Sequence, residues 1–420
     1  MSGLDRRQAL ALLATMPLAA RAARAQTRAT AAHRVVLGYR HGLLLEPGGT
    51  LQAWHVERGR DATAPDALGL GHNRPLRTYT LAAVANLTDV VAAAAGSGCS
   101  FALRRSGELM AWGLNAGDGL LGTTPREFVE TRASWGPNSH VPVPQAVRFD
   151  AVDVSVGAAH VLALTRDGQV YAWGRGNLGQ LGVGPMPVIQ FKTRAPAAMP
   201  YVPFPVPVPG LSDVAAISAS GRHSLALMKD GTVRAWGENR WGAVGDGTTT
   251  NRAAPVAVPG VRGATGVAAG AGGFSVALLA DGTVMTWGNR LLGALGRTPD
   301  NDSRPDPIPA LVPGVRGVRA VVAGEAHVLA LTADGRVLSW GDPGFGALGR
   351  GGGAAPAVIP TLSGVEHITA RGATSIAVLG SGRIMTWGDV RPWTRPPEEG
   401  SYDNFSHRPI LLWLNGLEQP

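Results

Sequence analysis

Residues Gly157 to Gly182 read GAAHVLALTRDGQVYAWGRGNLGQLG. A small-residue turn leads into an apolar run, His160 to Leu164. Asp167-Gly168 then reverses the chain, and a second run, Gln169 to Trp173, ends in Trp-Gly before the tail Gly179-Gln180-Leu181-Gly182. Asp-Gly between two short apolar runs is a strong hairpin signal, because both central turn residues tolerate positive φ. The pattern recurs. GRHSLALMKDGTVRAWGENRWGAVG starts at Gly221, GGFSVALLADGTVMTWGNRLLGALG at Gly272 and EAHVLALTADGRVLSWGDPGFGALG at Glu325. Weaker copies run from Cys99 to Gly113 and from Thr374 to Gly388, and the weakest from His41 to Trp54.

Seven copies result, marked by Trp54, Trp112, Trp173, Trp236, Trp287, Trp340 and Trp387 at spacings of 47 to 63 residues. Self-similarity at this period means a repeat architecture. Each repeat supplies about four short extended runs; in the third they are Val143–Val147, Val152–Val156, Val161–Leu164 and Gln169–Trp173. Four strands per repeat is the unit of a propeller blade, and runs that are apolar at successive positions are buried on both faces. The small segments ahead of each hairpin, such as AAAAG and AAGA, suit strands that converge on an axis. The expected fold is all-β, a seven-bladed β-propeller spanning 34–420. Closure is expected from the C-terminal run Pro409 to Leu414, which would pair with the first hairpin and remove both open edges.

The motif G-x-x-H-x-x-x-L, then D-G-x-V-x-x-W-G, then G-x-L-G resembles the regulator-of-chromosome-condensation repeat, a seven-bladed propeller family. The resemblance covers Arg34 to Leu417. Cys99, Phe274 and Thr374 stand where that family has His, and Ser106, Gly48 and Ser381 where it has Asp. The family contains several functions, and the fold does not choose among them. The eukaryotic namesake is a nuclear nucleotide-exchange factor. Secreted bacterial members include β-lactamase-inhibitory proteins, which bind an enzyme through aromatic loops on one face.

The first 25 residues are expected to lie outside the fold. Arg6-Arg7 precede the apolar stretch Ala9 to Ala20, and Ala23-Arg24-Ala25 reads as a small-x-small cleavage site. This is the pattern of a bacterial signal peptide, by the twin-arginine or the general route, and residues 26–33 read as a short linker. The expected location is periplasmic or extracellular. The apolar stretch is short of the ~20 residues that span a bilayer, so no stable membrane anchor is expected. Net charge is +8 for the whole chain. Removing residues 1–25 takes away four Arg and one Asp and leaves +5. No basic block marks a specific nucleic-acid partner. Cys99 is the one cysteine, so no intramolecular disulfide forms, and a small buried hydrophobe is its expected role.

Long insertions follow the repeat tryptophan in four repeats: Val56 to Leu76, Leu114 to Asn138, Val183 to Val208 and Asp389 to Arg408. Loops on a rigid scaffold are where binding resides. Phe191, Tyr201, Phe204, Trp135, Trp393 and Tyr402 on these insertions are the candidate partner-binding residues, for a protein partner of a monomeric propeller. His160, His223 and His327, with His41, recur at one repeat position and read as buried residues bonded between blades. Asp167, Asp230, Asp281 and Asp334 read as turn residues. His140 and His407 fall in loops without ligand-spaced neighbours. No catalytic constellation, metal site or cofactor site emerges. The alternative to a binding module is a glycan-active lyase or hydrolase with a site at the axis, for which Glu238 and Glu325 are the candidate acids.

Overall fold

The computed structural model describes residues 34–39, 41–55, 65–71, 80–115, 119–123, 139–185, 201–297, 304–390 and 405–412. Residues 1–33, which hold the expected export signal and linker, lie outside this set. The described residues form seven antiparallel four-stranded sheets, each built from four strands consecutive in sequence. In blade 3 the strands are Asp153–Val156, His160–Leu164, Val170–Arg175 and Tyr201–Pro207, from the axis outward. The innermost strands of the other blades are Arg34–Leu37, Val90–Ala95, Val214–Ser220, Ala264–Gly270, Val318–Ala323 and Val365–Arg371, for blades 1, 2, 4, 5, 6 and 7. Each innermost strand touches the next around the ring, and the strand of blade 7 touches that of blade 1. The seven-bladed propeller is therefore closed.

Two details differ from the sequence expectation, and they are one error of phase. Val143–Val147 belongs to the long strand Ser139–Asp150, which is the outermost strand of blade 2 rather than a strand of blade 3. Blades thus begin at the innermost strand. Accordingly the last strand, Phe405–Leu411, pairs with Ile384–Asp389 inside blade 7, with Met385 opposite Leu411 and Thr386 opposite Ile410. The first blade completes itself with Ala82–Ala83, which pairs with Leu51–His55. A two-residue strand carries no apolar run to mark it, so its existence was not readable.

Among the described residues, no strand is shared across the junction of first and last blades. Packing holds it instead. Val35, Leu37, Leu44 and Trp54 of blade 1 form one buried cluster with Ile376, Val378, Ile384 and Leu412 of blade 7. Similar clusters fill the other junctions, and all seven repeat tryptophans are fully buried. Innermost strands such as VVAAAA and ATGVAAG keep side-chain volume low where the sheets meet.

The Trp-Gly step has a geometric cause. The pairing of third and outermost strands shifts at this step, between Ala172 and Gly174 in blade 3. Gly174 has φ +95, and a Cβ there would stand 2.6 Å from the Ala159 carbonyl oxygen. Only glycine meets both conditions, a left-handed backbone and close approach to the neighbouring turn.

Because closure rests on packing, Ile376→Ala should destabilise the fold by about 2–5 kcal/mol in chemical denaturation. A loss below about 0.5 kcal/mol would show that this cluster does not hold the ring. Trp236→Ala, at an ordinary junction, should cost about 3–5 kcal/mol.

Candidate interaction face and axial cavity

The recurring histidines join one blade to the next through a serine. His160 Nε2 lies 2.9 Å from Ser224 Oγ, His223 Nε2 3.0 Å from Ser275 Oγ, His327 Nε2 2.8 Å from Ser375 Oγ and His41 Nε2 2.7 Å from Ser100 Oγ. Each serine hydroxyl in turn donates to a backbone carbonyl, Ser224 to Gln180 at 2.9 Å and Ser275 to Ala243 at 2.8 Å. A hydroxyl has one hydrogen, so its lone pair must accept from the histidine, which assigns the Nε2–H tautomer. The same carbonyls accept the indole N–H of the next blade: Trp236 to Gln180 at 2.9 Å and Trp287 to Ala243 at 2.8 Å. The partner is a serine hydroxyl rather than backbone directly, and the imidazoles serve the joint between blades. Burial pushes His160 down to about 3 and His223 and His327 down to about 4, so all three stay neutral in the fold at neutral pH.

Chain direction sorts the two faces. The turns after the innermost strands and the segments after Trp-Gly lie at the same end of every blade. Arg175 N–H, at the end of the third strand, donates to Ala159 in the turn at 2.7 Å, and Glu238 N–H to Arg222 at 2.9 Å. All four insertions therefore leave their blades at this end. Trp135, Phe191, Trp393 and Tyr402 lie outside the described residues. Tyr201 and Phe204, expected in a loop, are on the outermost strand of blade 3, where Tyr201 faces Arg175 across the pairing. Phe204 is partly buried against the core between blades 3 and 4, which gives it a packing role. His140 and His407 also belong to outermost strands rather than loops.

The same face carries an apolar feature in the short tails. The residue before the first tail glycine is Leu178, Trp241, Leu292 and Phe345 in blades 3 to 6. Leu292 is 46% and Phe345 51% exposed. Both have left-handed backbones, φ 60 and φ 55, which a non-glycine residue adopts only at a cost of roughly 1–3 kcal/mol. Trp241 lies under the Arg240 guanidinium, 5.5 Å from its ring centroid. The buried Asn239 fixes that tail: its Oδ1 accepts from Val244 N–H at 2.9 Å, and its amide donates to Thr248 and Thr250 carbonyls at 3.0 Å. Aligning the tails N-L-G, R-W-G, L-L-G and G-F-G would have exposed this arc in the sequence.

At the centre of the face stands Arg371, the last residue of the innermost strand of blade 7. Its Nη1 donates to the Val156 carbonyl at 3.1 Å, so it crosses the channel to blade 3. Its guanidinium carbon lies 4.6 Å from the Tyr39 ring centroid, on blade 1. Beside it remains a cavity of about 210 Å³ lined by blades 4 to 7. Burial pushes the neighbouring Cys99 thiol up to about 12, so it carries no reactive thiolate. Among the described residues, no group of three His, Cys, Asp or Glu stands in metal-binding proximity.

Residues 8–319 match the RCC1-like domain, and residues 318–347 match the regulator of chromosome condensation (RCC1) repeat. The chain belongs to the RCC1-like domain family. It is 32% identical over 290 residues to the human E3 ubiquitin-protein ligase HERC2, covering 68% of this chain and 6% of that protein. It is 30% identical over 270 residues to the guanine nucleotide exchange factor SRM1 of Saccharomyces cerevisiae, covering 60% of this chain and 52% of that one. The chain thus spans about half or less of these relatives. Among solved structures, human WBSCR16 aligns with TM-score 0.65 at 22% identity, over 80% of this chain and 84% of that one. Prp20p of Saccharomyces cerevisiae aligns with TM-score 0.60 at 24% identity, over 82% and 81%. These likenesses show the shared propeller fold.

The buried imidazoles set a pH dependence. Unfolded histidines titrate near pH 6.5, well above the folded values of about 3 to 4. Below about pH 6.5 the unfolded chain binds protons that the folded chain refuses, so stability is present above that pH and is lost on acidification. His367, also pushed down to about 4 by burial, acts in the same sense. Asp153, pushed up to about 7 by burial, opposes them as a single group. The melting temperature should fall steadily from pH 6.5 to pH 4, and His160→Gln with His327→Gln should flatten that slope. An unchanged slope in the double variant would remove the histidines as its cause.

Proposed function

We propose that this propeller is a protein-binding module whose contact surface is the face bearing the insertions and the arc Leu178, Trp241, Leu292 and Phe345. The observation that carries this reading is the pair of exposed apolar residues with left-handed backbones, Leu292 and Phe345, at the same position of neighbouring blades. Glycine would relieve the backbone there, giving up at Phe345 the tilted contact with the Phe405 ring, 4.9 Å between centroids. Large apolar side chains instead add exposed surface, which suits an interface centre. Relatives of this fold bind proteins: Prp20p is described with binding to Gsp1p and histones, and yeast RCC1 (Prp20) with bound Kap60. Phe191, Trp135, Trp393 and Tyr402, on insertions that leave the same face, would widen the contact.

The enzymatic alternative has less support. Glu238 is engaged by Arg240 at 3.0 Å and Arg222 at 4.0 Å, while Glu325 lies in a turn two blades away. We further propose export through the signal-like residues 1–25, with Gln26 as the mature terminus. The family match begins at residue 8, inside this stretch, so intact mass of the secreted product is the deciding measurement. Arg6→Lys with Arg7→Lys should hold the precursor in the cytoplasm if the twin-arginine route is used; continued export would indicate the general route.

The binding test uses the purified mature protein and a stoichiometric partner captured from the extract of its own compartment. Leu292→Gly with Phe345→Gly should weaken that partner by at least about tenfold, since hot-spot side chains contribute ~2 kcal/mol or more. The melting temperature should stay level or rise, because glycine relieves the left-handed backbone. Undiminished binding would exclude the arc. Turnover on a glycan panel without a protein partner would favour the enzyme reading.

A further inference from the structure

Seven inner strands of small residues leave space on the axis, and Arg371 fills only part of it. The remaining cavity of about 210 Å³ is far larger than one water requires. Its polar lining is one-sided. Ser218, Ser220 and Arg371 contribute side chains, and no acidic residue lines it. Ser218 Oγ accepts the Ala269 N–H at 3.0 Å, which leaves its hydrogen to donate.

Arg371 is more than a strap. Nη1 and Nη2 reach the carbonyls of Val156 at 3.1 Å and Gly157 at 3.5 Å, but Nε is buried with no acceptor among the described residues. Neither carbonyl carries a full charge. Tyr39 offers the face of a neutral ring, and the Cys99 thiol stays protonated. An always-protonated group thus sits inside the ring among dipoles, without an ion-pair partner among the described residues. Burying a charge is costly unless a counter-charge meets it. A glutamine could serve the same two carbonyls without that cost. The strap therefore accounts for the hydrogen bonds and leaves the charge unexplained.

We propose that the axial cavity is a carboxylate-binding pocket, with Arg371 supplying the charge and Ser218 and Ser220 supplying neutral donors. A planar guanidinium matches a carboxylate better than it matches a lone dipole. The pocket opens on the face proposed above as the interface. Its carboxylate can come from an Asp or Glu side chain of the protein partner or from a free small acid. The partner source rests on that reading of the face, whereas the pocket itself does not.

The test titrates the mature protein with sodium acetate and sodium succinate against sodium chloride at matched ionic strength. The Arg371 Nε–H cross-peak, assigned by its loss in Arg371→Gln, should shift saturably with the carboxylates and not with chloride. Arg371→Gln should weaken the carboxylate by at least about tenfold, by calorimetry. If that variant fails to fold, Ser220→Ala provides the second reading, with weaker binding expected at an unchanged melting temperature, because Ser220, unlike Ser218, is not the acceptor of the Ala269 N–H. No saturable response in the wild-type protein, or the same response to chloride, overturns the pocket. Where acetate binds and Arg371→Gln also weakens the captured partner, the partner supplies the carboxylate. Where acetate binds and the partner is indifferent to Arg371→Gln, a free acid does. Loss of partner binding in the arc variant with intact acetate binding separates the two proposals.

Discussion

Six of the seven junctions between the wedges of this ring meet through one contact, an indole N–H donating to the blade before it. Trp112 donates to Ala67, Trp173 to Leu120, Trp236 to Gln180, Trp287 to Ala243, Trp340 to Ala294 and Trp387 to Ala347, all within 2.8 to 3.1 Å. A fully buried indole needs an acceptor, because an unpaired N–H forfeits its hydration without return. The tail after each Trp-Gly exists to deliver that carbonyl to the next blade. The blade bulge, the glycine-rich tail and the buried tryptophan are consequently one device. Changing any of them disturbs the angle between neighbouring sheets.

The serine–histidine joint is a second layer on the same carbonyl, and it is readable from one sequence once the register is known. Each histidine has a serine in the following blade: His41 with Ser100, His160 with Ser224, His223 with Ser275 and His327 with Ser375. Where Cys99, Phe274 and Thr374 replace histidine, the following blade has Val161, Val328 and Gly42 instead of serine. An imidazole donor buried without its hydroxyl would be left unsatisfied, so the two positions change together. Reading along each repeat gives these serines no signal, because their partners lie across the joint. It found the blade count and the buried tryptophans, since both have strong periodic signals. It misplaced the blade boundary, because a repeat can be cut at any strand and Ala82–Ala83 is too short to announce itself.

Surface features were less legible, for a different physical reason. Attention fell on aromatic residues in long insertions, where composition is unusual. The arc lies in short tails whose glycines dominate their appearance. The left-handed backbones of Leu292 and Phe345, φ 60 and φ 55, leave no trace in composition. Arg371 was invisible for the same reason. Its sequence neighbours read as an ordinary strand end, and its contacts lie more than 200 residues away, at Val156 and Gly157.

The junction of first and last blades gives the axial charge a further meaning. Closure depends on a packed cluster between blades 7 and 1, and on inner-strand contacts that are mostly between small side chains. Arg371 is anchored in blade 7, lies against Tyr39 of blade 1 and bonds to blade 3, so it spans the junction of first and last blades. A carboxylate held by this guanidinium would bind only the closed ring, since the cavity takes walls from four blades. Any species that binds the native state alone stabilises it by mass action. Occupancy of the axis and integrity of the junction between blades 7 and 1 are thereby linked through one side chain. A partner that reached the axis would find the ring firmer for its presence, and the cost of the unpaired charge would be offset only in the complex.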